Sequence, residues 1–384
     1  MISQRSLHFF ALGILLVFHV LAAKATSTQS DLIGVWHSSL GKQRIVACWD
    51  SSGGIYYPLN KPVGVSFSAS DETDRIWVEN SSAQTPDGAG ISWEFEKIAN
   101  GRISGARKIQ GKTEAIHLTR VQTTIKGKET QEDCRFPGSS TRLYDAFNAP
   151  RLNAAVIKSG GLATFMGKPY KAITALNGEV ASVELLGGDS TVNTGNEALR
   201  KEFMNNIVLS FACRDDGSDR SYSQSKVRLR FWNADWLSWS SHGADYCGGP
   251  HPSFGFVTKT IDLHTGQEIN LWNWLRLVKK QDRHPGQICE FLKNRCLPEK
   301  LGRLVRRAKG SYEDRSCKDG DFHDMVDGGY TIGINERGLA FIPDLAEPDR
   351  GMRPCYARYT IPFSDLQPYL TEAGLAAVGR ILNL

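Results

Sequence analysis

The residues best suited to chemistry gather in one short stretch, where His242, Asp245, Tyr246, Gly248, Gly249 and His251 follow one another. The glycines allow close backbone approach and His251 is held between Pro250 and Pro252, so a loop here could present a fixed surface to a partner. The same residues also suit a plain structural role: Gly-Gly beside Cys247 can make a bulge or turn, and His251 can bond to neighbouring backbone. Just upstream, Trp232, Trp236 and Trp239 could stack on sugar rings. Trp232 and Trp236 are an even number of residues apart, which places them on one face of a strand and Trp239 on the other. At least one face is then core, and the exposed platform shrinks to one or two residues, Trp236 among them.

Signs of catalysis are sparse. There is no G-x-S-x-G elbow, no G-x-x-x-x-G-K-[ST] loop and no H-E-x-x-H pair, each absence removing one mechanism. Asp319, Asp321, His323, Asp324 and Asp327 bring several oxygens together, but Asp324 stands where a calcium loop needs glycine and Tyr330 where it needs a bidentate glutamate. A solvated loop beside Cys317 is the better reading. No catalytic residue, metal site or cofactor is therefore expected, and the balance leans against an enzyme.

The eight cysteines (Cys48, Cys134, Cys213, Cys247, Cys289, Cys296, Cys317, Cys355) form an even set without any C-x-x-C pair, which points to disulfides rather than zinc. About 105 pairings are open. Cys48–Cys134 is the favoured local pair, whereas one unbroken helix through Cys289 and Cys296 would hold their Cα atoms about 10.5 Å apart, too far for a bond. Pro298 weakens that exclusion by ending such a helix early. An oxidising compartment agrees with the first 25 residues, where Arg5, an apolar stretch from Phe9 to Ala23 and the small-x-small site Ala23-Lys24-Ala25 read as a cleavable export signal. The mature chain would then be periplasmic or secreted, with no integral span after cleavage. Loss of Arg5 and Lys24 lowers the formal charge from +5 to +3, too mild an excess for a nucleic-acid partner.

These residues need elements to position them. From residue 26 to 121 short alternating runs separated by turns such as Asn60-Lys61-Pro62 and Asn100-Gly101 predict an all-β domain, a small meander barrel or a sandwich whose inner face is filled. Residues 122–145 lose the alternation and read as a linker. Residues 146–384 predict an α+β domain with an antiparallel sheet: a helix opening near Thr194, an apolar strand Ile207–Cys213, an aromatic stretch Lys226–Ser241, and a hairpin turning at His264-Thr265-Gly266. Helices between Gly286 and Lys309, a β region from Gly329 to Phe363 and a closing helix Leu366–Leu384 complete it. Leu297, Leu301, Leu304, Val305 and Ala308 make an apolar stripe that leaves Arg303, Arg306 and Arg307 on the solvent side.

Three groups of words in the second half carry a resemblance. They are Tyr246-Cys247-Gly248-Gly249-Pro250-His251-Pro252, then Thr260-Ile261-Asp262-Leu263-His264-Thr265-Gly266 with Leu271-Trp272-Asn273-Trp274-Leu275, and finally Gly338-Leu339-Ala340-Phe341 with Ile361-Pro362-Phe363-Ser364-Asp365-Leu366. Across about residues 145–375 the chain resembles the extracytoplasmic domain shared by RsiV-type lysozyme-sensing anti-sigma factors and PdaC-type peptidoglycan deacetylases. The resemblance implies an α+β domain at the cell envelope that, in some members, binds lysozyme. The deacetylase's Asp- and His-bearing metal motifs have no counterpart here. The expectation is a non-enzymatic envelope protein binding a lysozyme-like muramidase or another envelope protein, with peptidoglycan or another glycan as the alternative ligand and an enzyme with an unrecognised site as a weaker third. His242, Tyr246, Gly248, Gly249, His251 and Trp236 are the candidate binding residues.

Overall fold

A computed structural model describes residues 31–50, 53–61, 64–70, 73–79, 90–122, 134, 141–215, 221–247, 251–279, 287–290, 293–312, 326–345 and 357–382. The export signal therefore lies outside the described residues. The chain is mostly β. Eight antiparallel strands close into a barrel: β1 (Gly34–Leu40), β2 (Gln43–Asp50), β3 (Gly53–Pro58), β4 (Val65–Ser70), β5 (Thr73–Glu79), β6 (Ser92–Ala99), β7 (Arg102–Ile109) and β8 (Lys112–Gln122). The meander is the predicted one, and pairing of β1 with both β2 and β8 selects the barrel over the sandwich. Asn100 and Gly101 both take positive φ (52° and 69°), the two-residue turn that matches strand twist.

Alternation sends Trp36, Trp49, Trp77, Trp93, Phe67 and Phe95 into the barrel, where they pack as its core. The inner face is filled, as expected. One carboxylate shares this interior: Glu79 accepts from Trp93 Nε1 at 2.7 Å, Arg107 Nε at 2.9 Å and Tyr56 Oη at 3.1 Å. Burial, and then the Glu79 charge, pushes the Tyr56 phenol well above its ordinary pKa.

The outward residues of the first three strands, Val35, Val46, Cys48, Ile55 and Tyr57, pack against Leu143 and Phe147 of α1 (Thr141–Ala154). Residues 141–145, expected as linker, are thus the first turns of a packed helix. Cys134 is buried and bonded to Cys48, the favoured pair. Farther along α1, Arg151 makes a two-pronged contact with Asp215, Nη1 to Oδ2 at 3.0 Å and Nη2 to Oδ1 at 2.7 Å. Asp215 also accepts the Gly64 backbone N–H, and the guanidinium lies on the faces of Phe211, Tyr57 and Phe147 at 4.6, 4.8 and 5.5 Å.

The remainder is built on a six-stranded sheet ordered β14-β13-β12-β11-β10-β9. Its strands are β9 (Lys158–Phe165), β10 (Lys168–Ala175), β11 (Val180–Leu185), β12 (Tyr222–Trp232), β13 (Trp236–Tyr246) and β14 (Ser253–Asp262). All neighbours are antiparallel except β11 and β12, which are joined by the crossover helix α2 (Ser190–Asp215). Asp189, rather than a residue near Thr194, caps it, accepting Val192 N at 2.8 Å. The strand expected at Ile207–Cys213 is instead the last turns of α2. Leu199, Phe203, Ile207 and Phe211 continue one buried stripe at four-residue spacing, and so short an apolar run reads alike in strand and helix.

The aromatic stretch is a hairpin, not one strand: Asn233 Oδ1 accepts the backbone N–H groups of Asp235 and Trp236 and turns the chain. Trp232 and Trp236 consequently point to opposite faces, Trp232 and Trp239 packing with Leu237 on one and Trp236 with Trp274 on the other. Gly266 takes the expected positive φ (72°), but the chain after it makes only a single bridge, Glu268 to Ile261, before a short 3₁₀ turn at Leu271–Trp274.

A four-stranded sheet covers the Trp236 face: β17 (Gly310–Tyr312), β20 (Ala357–Pro362), β19 (Gly338–Leu345) and β18 (Val326–Asn335), in that order. The predicted closing β region is present. Of the helices expected between Gly286 and Lys309, α3 (Glu299–Arg307) is the one described, with Leu301 and Val305 buried and its arginines outward; Leu304 is exposed instead of joining the stripe. Upstream of it, Arg295–Cys296 (β16) pairs with Val278–Lys279 (β15). Cys289 and Cys296 sit directly opposite one another and are bonded, which an unbroken helix would have forbidden. The closing helix is shorter than expected, a turn α4 (Phe363–Leu366) and then α5 (Glu372–Leu382) after Pro368.

Both ends of the Arg151–Asp215 pair are buried (side chains 1% and 0% exposed), so removing one leaves the other charge without compensation. Arg151→Ala is expected to lower unfolding free energy by about 3–5 kcal/mol in urea titrations, and the paired change Arg151→Met with Asp215→Leu by clearly less. A single-variant loss below about 1 kcal/mol would contradict the role assigned to this contact.

Candidate functional site

Of the sequence-predicted residues, His242 and Tyr246 lie at one end of the sheet, where β12 begins, β13 ends and β14 begins, with His251 just before β14. Cross-strand pairs in an antiparallel ladder share a face. On the face turned away from α2 these pairs are Tyr222 with Tyr246, Gln224 with Ala244, Lys226 with His242 and Arg228 with Ser240, continued by His242 with Phe256 and Ala244 with Phe254. Tyr222 and Tyr246 stack at 6.3 Å, and His242 meets Phe256 edge-on at 4.7 Å. The result is a half-buried aromatic surface set among guanidinium groups.

Arg358, from β20, reaches the same place. Burial, with Arg228 beside it, brings its pKa down to about 10. Burial first, then Arg228 and Arg358, holds the His242 imidazole down to about 4, so it is neutral at pH 7 with one donor and one acceptor nitrogen. Ser240 Oγ lies 3.5 Å from His242 Nε2 and accepts from Arg230 Nε at 2.7 Å. A serine next to a histidine invites a nucleophile reading, but Ser240 is wholly buried and no substrate carbonyl can reach it.

The other predicted residues divide. His251 is exposed just beyond β13. Trp236 is 1% exposed, meets Trp274 edge-on and lies under the Arg380 guanidinium, so it belongs to the core. Trp232 and Trp239 are buried as well, and the sugar-stacking platform is lost with them. Gly248, Gly249, Cys317, Cys355 and the run from Asp319 to Asp324 lie outside the described residues, as does the Asp327 side chain. Among the described residues no group of three or more His, Cys, Asp or Glu side chains could hold a metal.

The α2 side of the same strands holds a groove of about 370 Å³ that sequence reasoning missed. Gly243 and Gly255 face each other across β13 and β14 and form its floor, with Leu209 and Val257 as walls. Neither glycine has positive φ, and a Cβ on Gly255 would meet nothing within 4 Å. A glycine inside a strand pattern was the available signal. The Cys213–Cys247 disulfide joins the end of α2 to the end of β13 beside this groove, and Glu202, which lines it, pairs with Lys259 at 2.6 Å.

No protein-family model matches this chain, and no curated protein matches it. Among solved structures it is similar to a DUF3298 family protein from Pseudomonas aeruginosa PAO1, with 11% identity, 57% of this chain and 92% of that one covered and a TM-score of 0.31. A DUF3298 member from Bacteroides fragilis matches with 12% identity over 60% of this chain and 98% of that one, also at a TM-score of 0.31.

A folded-state pKa near 4 against an ordinary 6.5 means that the unfolded chain takes up the His242 proton first as pH falls. The stability that neutral His242 supports is present above pH 6.5 and is lost as pH drops toward 4. In NMR titration the His242 ring is expected to stay neutral through pH 5.5, and His242→Gln should flatten the fall in melting temperature between pH 6.5 and 4. A ring that titrates near 6.5 in the folded protein would refute the assignment.

Proposed function

We propose that this chain is an exported, non-catalytic binding protein of the cell envelope that takes a lysozyme-like muramidase, or another envelope protein, on the free end of β12, β13 and β14. One observation carries the reading: that end presents tyrosine, phenylalanine, histidine and arginine side chains together, half-buried and fixed in cross-strand pairs. Tyrosine and arginine dominate the energetics of protein interfaces because each brings large contact area with a polar handle at modest entropic cost. Of the three groups of motif words that resemble lysozyme-sensing domains, the first, Tyr246 to Pro252, runs through Tyr246 and His251 at this surface.

Location supports the same reading. Three disulfides fit a protein that matures outside the cytoplasm, and among the described residues no helix is long and apolar enough to cross a membrane. With the leader removed, the chain acts as a free periplasmic or secreted protein. A glycan reading has lost its tryptophan platform and rests on the groove above Gly243 and Gly255, whose floor carries the Ser225 and Ser241 hydroxyls.

The decisive measurement titrates residues 26–384, immobilised, with C-type lysozyme, alongside sedimentation with purified peptidoglycan. Saturable lysozyme binding is expected, weakened about tenfold or more by Tyr246→Ala and measurably by His251→Ala, with melting temperature unchanged for His251→Ala. Retention by peptidoglycan alone would move the function to the glycan reading, and retention by neither would remove both.

A further inference from the structure

We infer that the groove between α2 and the ends of β12, β13 and β14 binds the amino terminus of a peptide, with the ammonium at Asp245, the first carbonyl at Ser223 and an apolar first side chain over Gly243 and Gly255. This site is on the α2 side of the strands, opposite the surface proposed to take a protein partner, so neither proposal depends on the other.

Cross-strand register divides the groove into three rows. Ser223, Asp245 and Ser253 stand side by side at the strand end, Ser225, Gly243 and Gly255 come next, and Ser241 and Val257 follow. From first row to third is four residues, roughly 13 Å, enough for two or three residues of extended chain. α2 runs over these rows in reverse order. Cys213 is bonded to Cys247 beyond the first row, Leu209 is one helical turn before Cys213, and Asn206 Nδ2 is 3.5 Å from Ser241 Oγ at the third row. Glu202, a further turn back, pairs with Lys259 two residues past Val257 and closes that end.

The charges select a cation at the other end. Glu202 is balanced by Lys259 at 2.6 Å. Asp245 has no such partner among the described residues, and the one hydrogen bond of its carboxylate is from Ser253 Oγ at 2.5 Å. A carboxylate offers only acceptors, so it favours an ammonium and repels phosphate or a second carboxylate. Beside it Ser223 lines the groove and is 8% exposed, yet its hydroxyl has no hydrogen-bond partner among the described residues. A polar group buried that far and left unsatisfied calls for a partner from outside. An acceptor for an ammonium next to a donor for a carbonyl is the pattern that an amino-terminal residue completes.

The middle row is bare for no backbone reason. Neither glycine has positive φ, a Cβ on Gly255 would meet nothing within 4 Å, and one on Gly243 would come no nearer than 3.8 Å to its neighbours. Glycine weakens a strand, and inside one it marks the close approach of a ligand or another backbone. Leu209 and Val257 flank this floor at 42% and 45% exposed, and an apolar side chain lying on the glycines would cover both.

Saturation-transfer NMR titration of residues 26–384 with leucyl-alaninamide, and with its N-acetyl form, tests the assignment. The free amine is expected to bind with a Kd of about 1 mM or tighter, and acetylation and, separately, Asp245→Asn should each weaken binding about tenfold or more. Gly255→Leu fills the floor and should abolish binding with no fall in melting temperature. Absence of saturable binding by about 20 mM overturns the proposal. So does equal binding of the acetylated peptide, or binding untouched by Gly255→Leu. Chitotriose bound here in place of the peptide, and lost in Gly255→Leu, would also overturn it and return the groove to the glycan reading.

Discussion

The contact between Arg151 and Asp215 sets the geometry on which the remaining architecture depends. Arg151 belongs to the helix that closes the outer face of β1–β3, and Asp215 is the last residue of the crossover helix that orders the six-stranded sheet. The Gly64 N–H, on the approach to β4, adds a third partner to the same carboxylate. Stripping water from two charges costs several kcal/mol per ion, so such a pair contributes little net stability by itself. What offsets that cost is the directional fit: two parallel hydrogen bonds, a backbone donor and three aromatic faces around one guanidinium. A misplaced α1 or α2 would forfeit these together, which makes the contact selective for one arrangement of barrel and sheet.

Above that junction, the central sheet is covered on both sides, by α2 and by the β17–β20 sheet, and this decides which residues remain available. At Trp236 through Ser241 every side chain of β13 is buried. Beyond Ser241 the same strand becomes half-exposed through Tyr246, although α2 still reaches its end at Cys213–Cys247. The candidate surface lies on the face of this strand end turned away from α2, where His242, Ala244 and Tyr246 are half-buried. Aromatic residues before that point serve the core, and those after it face outward.

Much of this was legible from residue types, and the failures share a cause. The barrel could be read because each strand is short, alternates and ends at a turn such as Asn100-Gly101, all local information. The stretch Ile207–Cys213 was misread because its apolar run has the same composition in a strand as in a helix, and only packing on Ala175 and Val180 distinguishes them. Parity placed Trp232 and Trp236 together because counting residues assumes one strand, whereas the Asn233 side chain reverses the chain between them. His242, Tyr246 and His251 were found through their types, and the first two do share a face. The groove was missed because it consists of side chains that are absent, at Gly243 and Gly255.

The strand end that carries the candidate surface is also the one that is covalently tied. Cys213–Cys247 closes a loop with a sequence separation of 34, which in a chain-entropy account stabilises the fold by about 3–4 kcal/mol. Its local effect follows from the alternation of β13. Gly243, Asp245 and Cys247 turn toward α2, and His242, Ala244 and Tyr246 turn the other way. Anchoring Cys247 to the helix therefore holds Tyr246 without occupying its face, so the residues of the proposed contact surface are not spent on supporting the strand. A surface held in this way loses less conformational entropy when it is covered, and that reduced loss is the physical content of preorganisation.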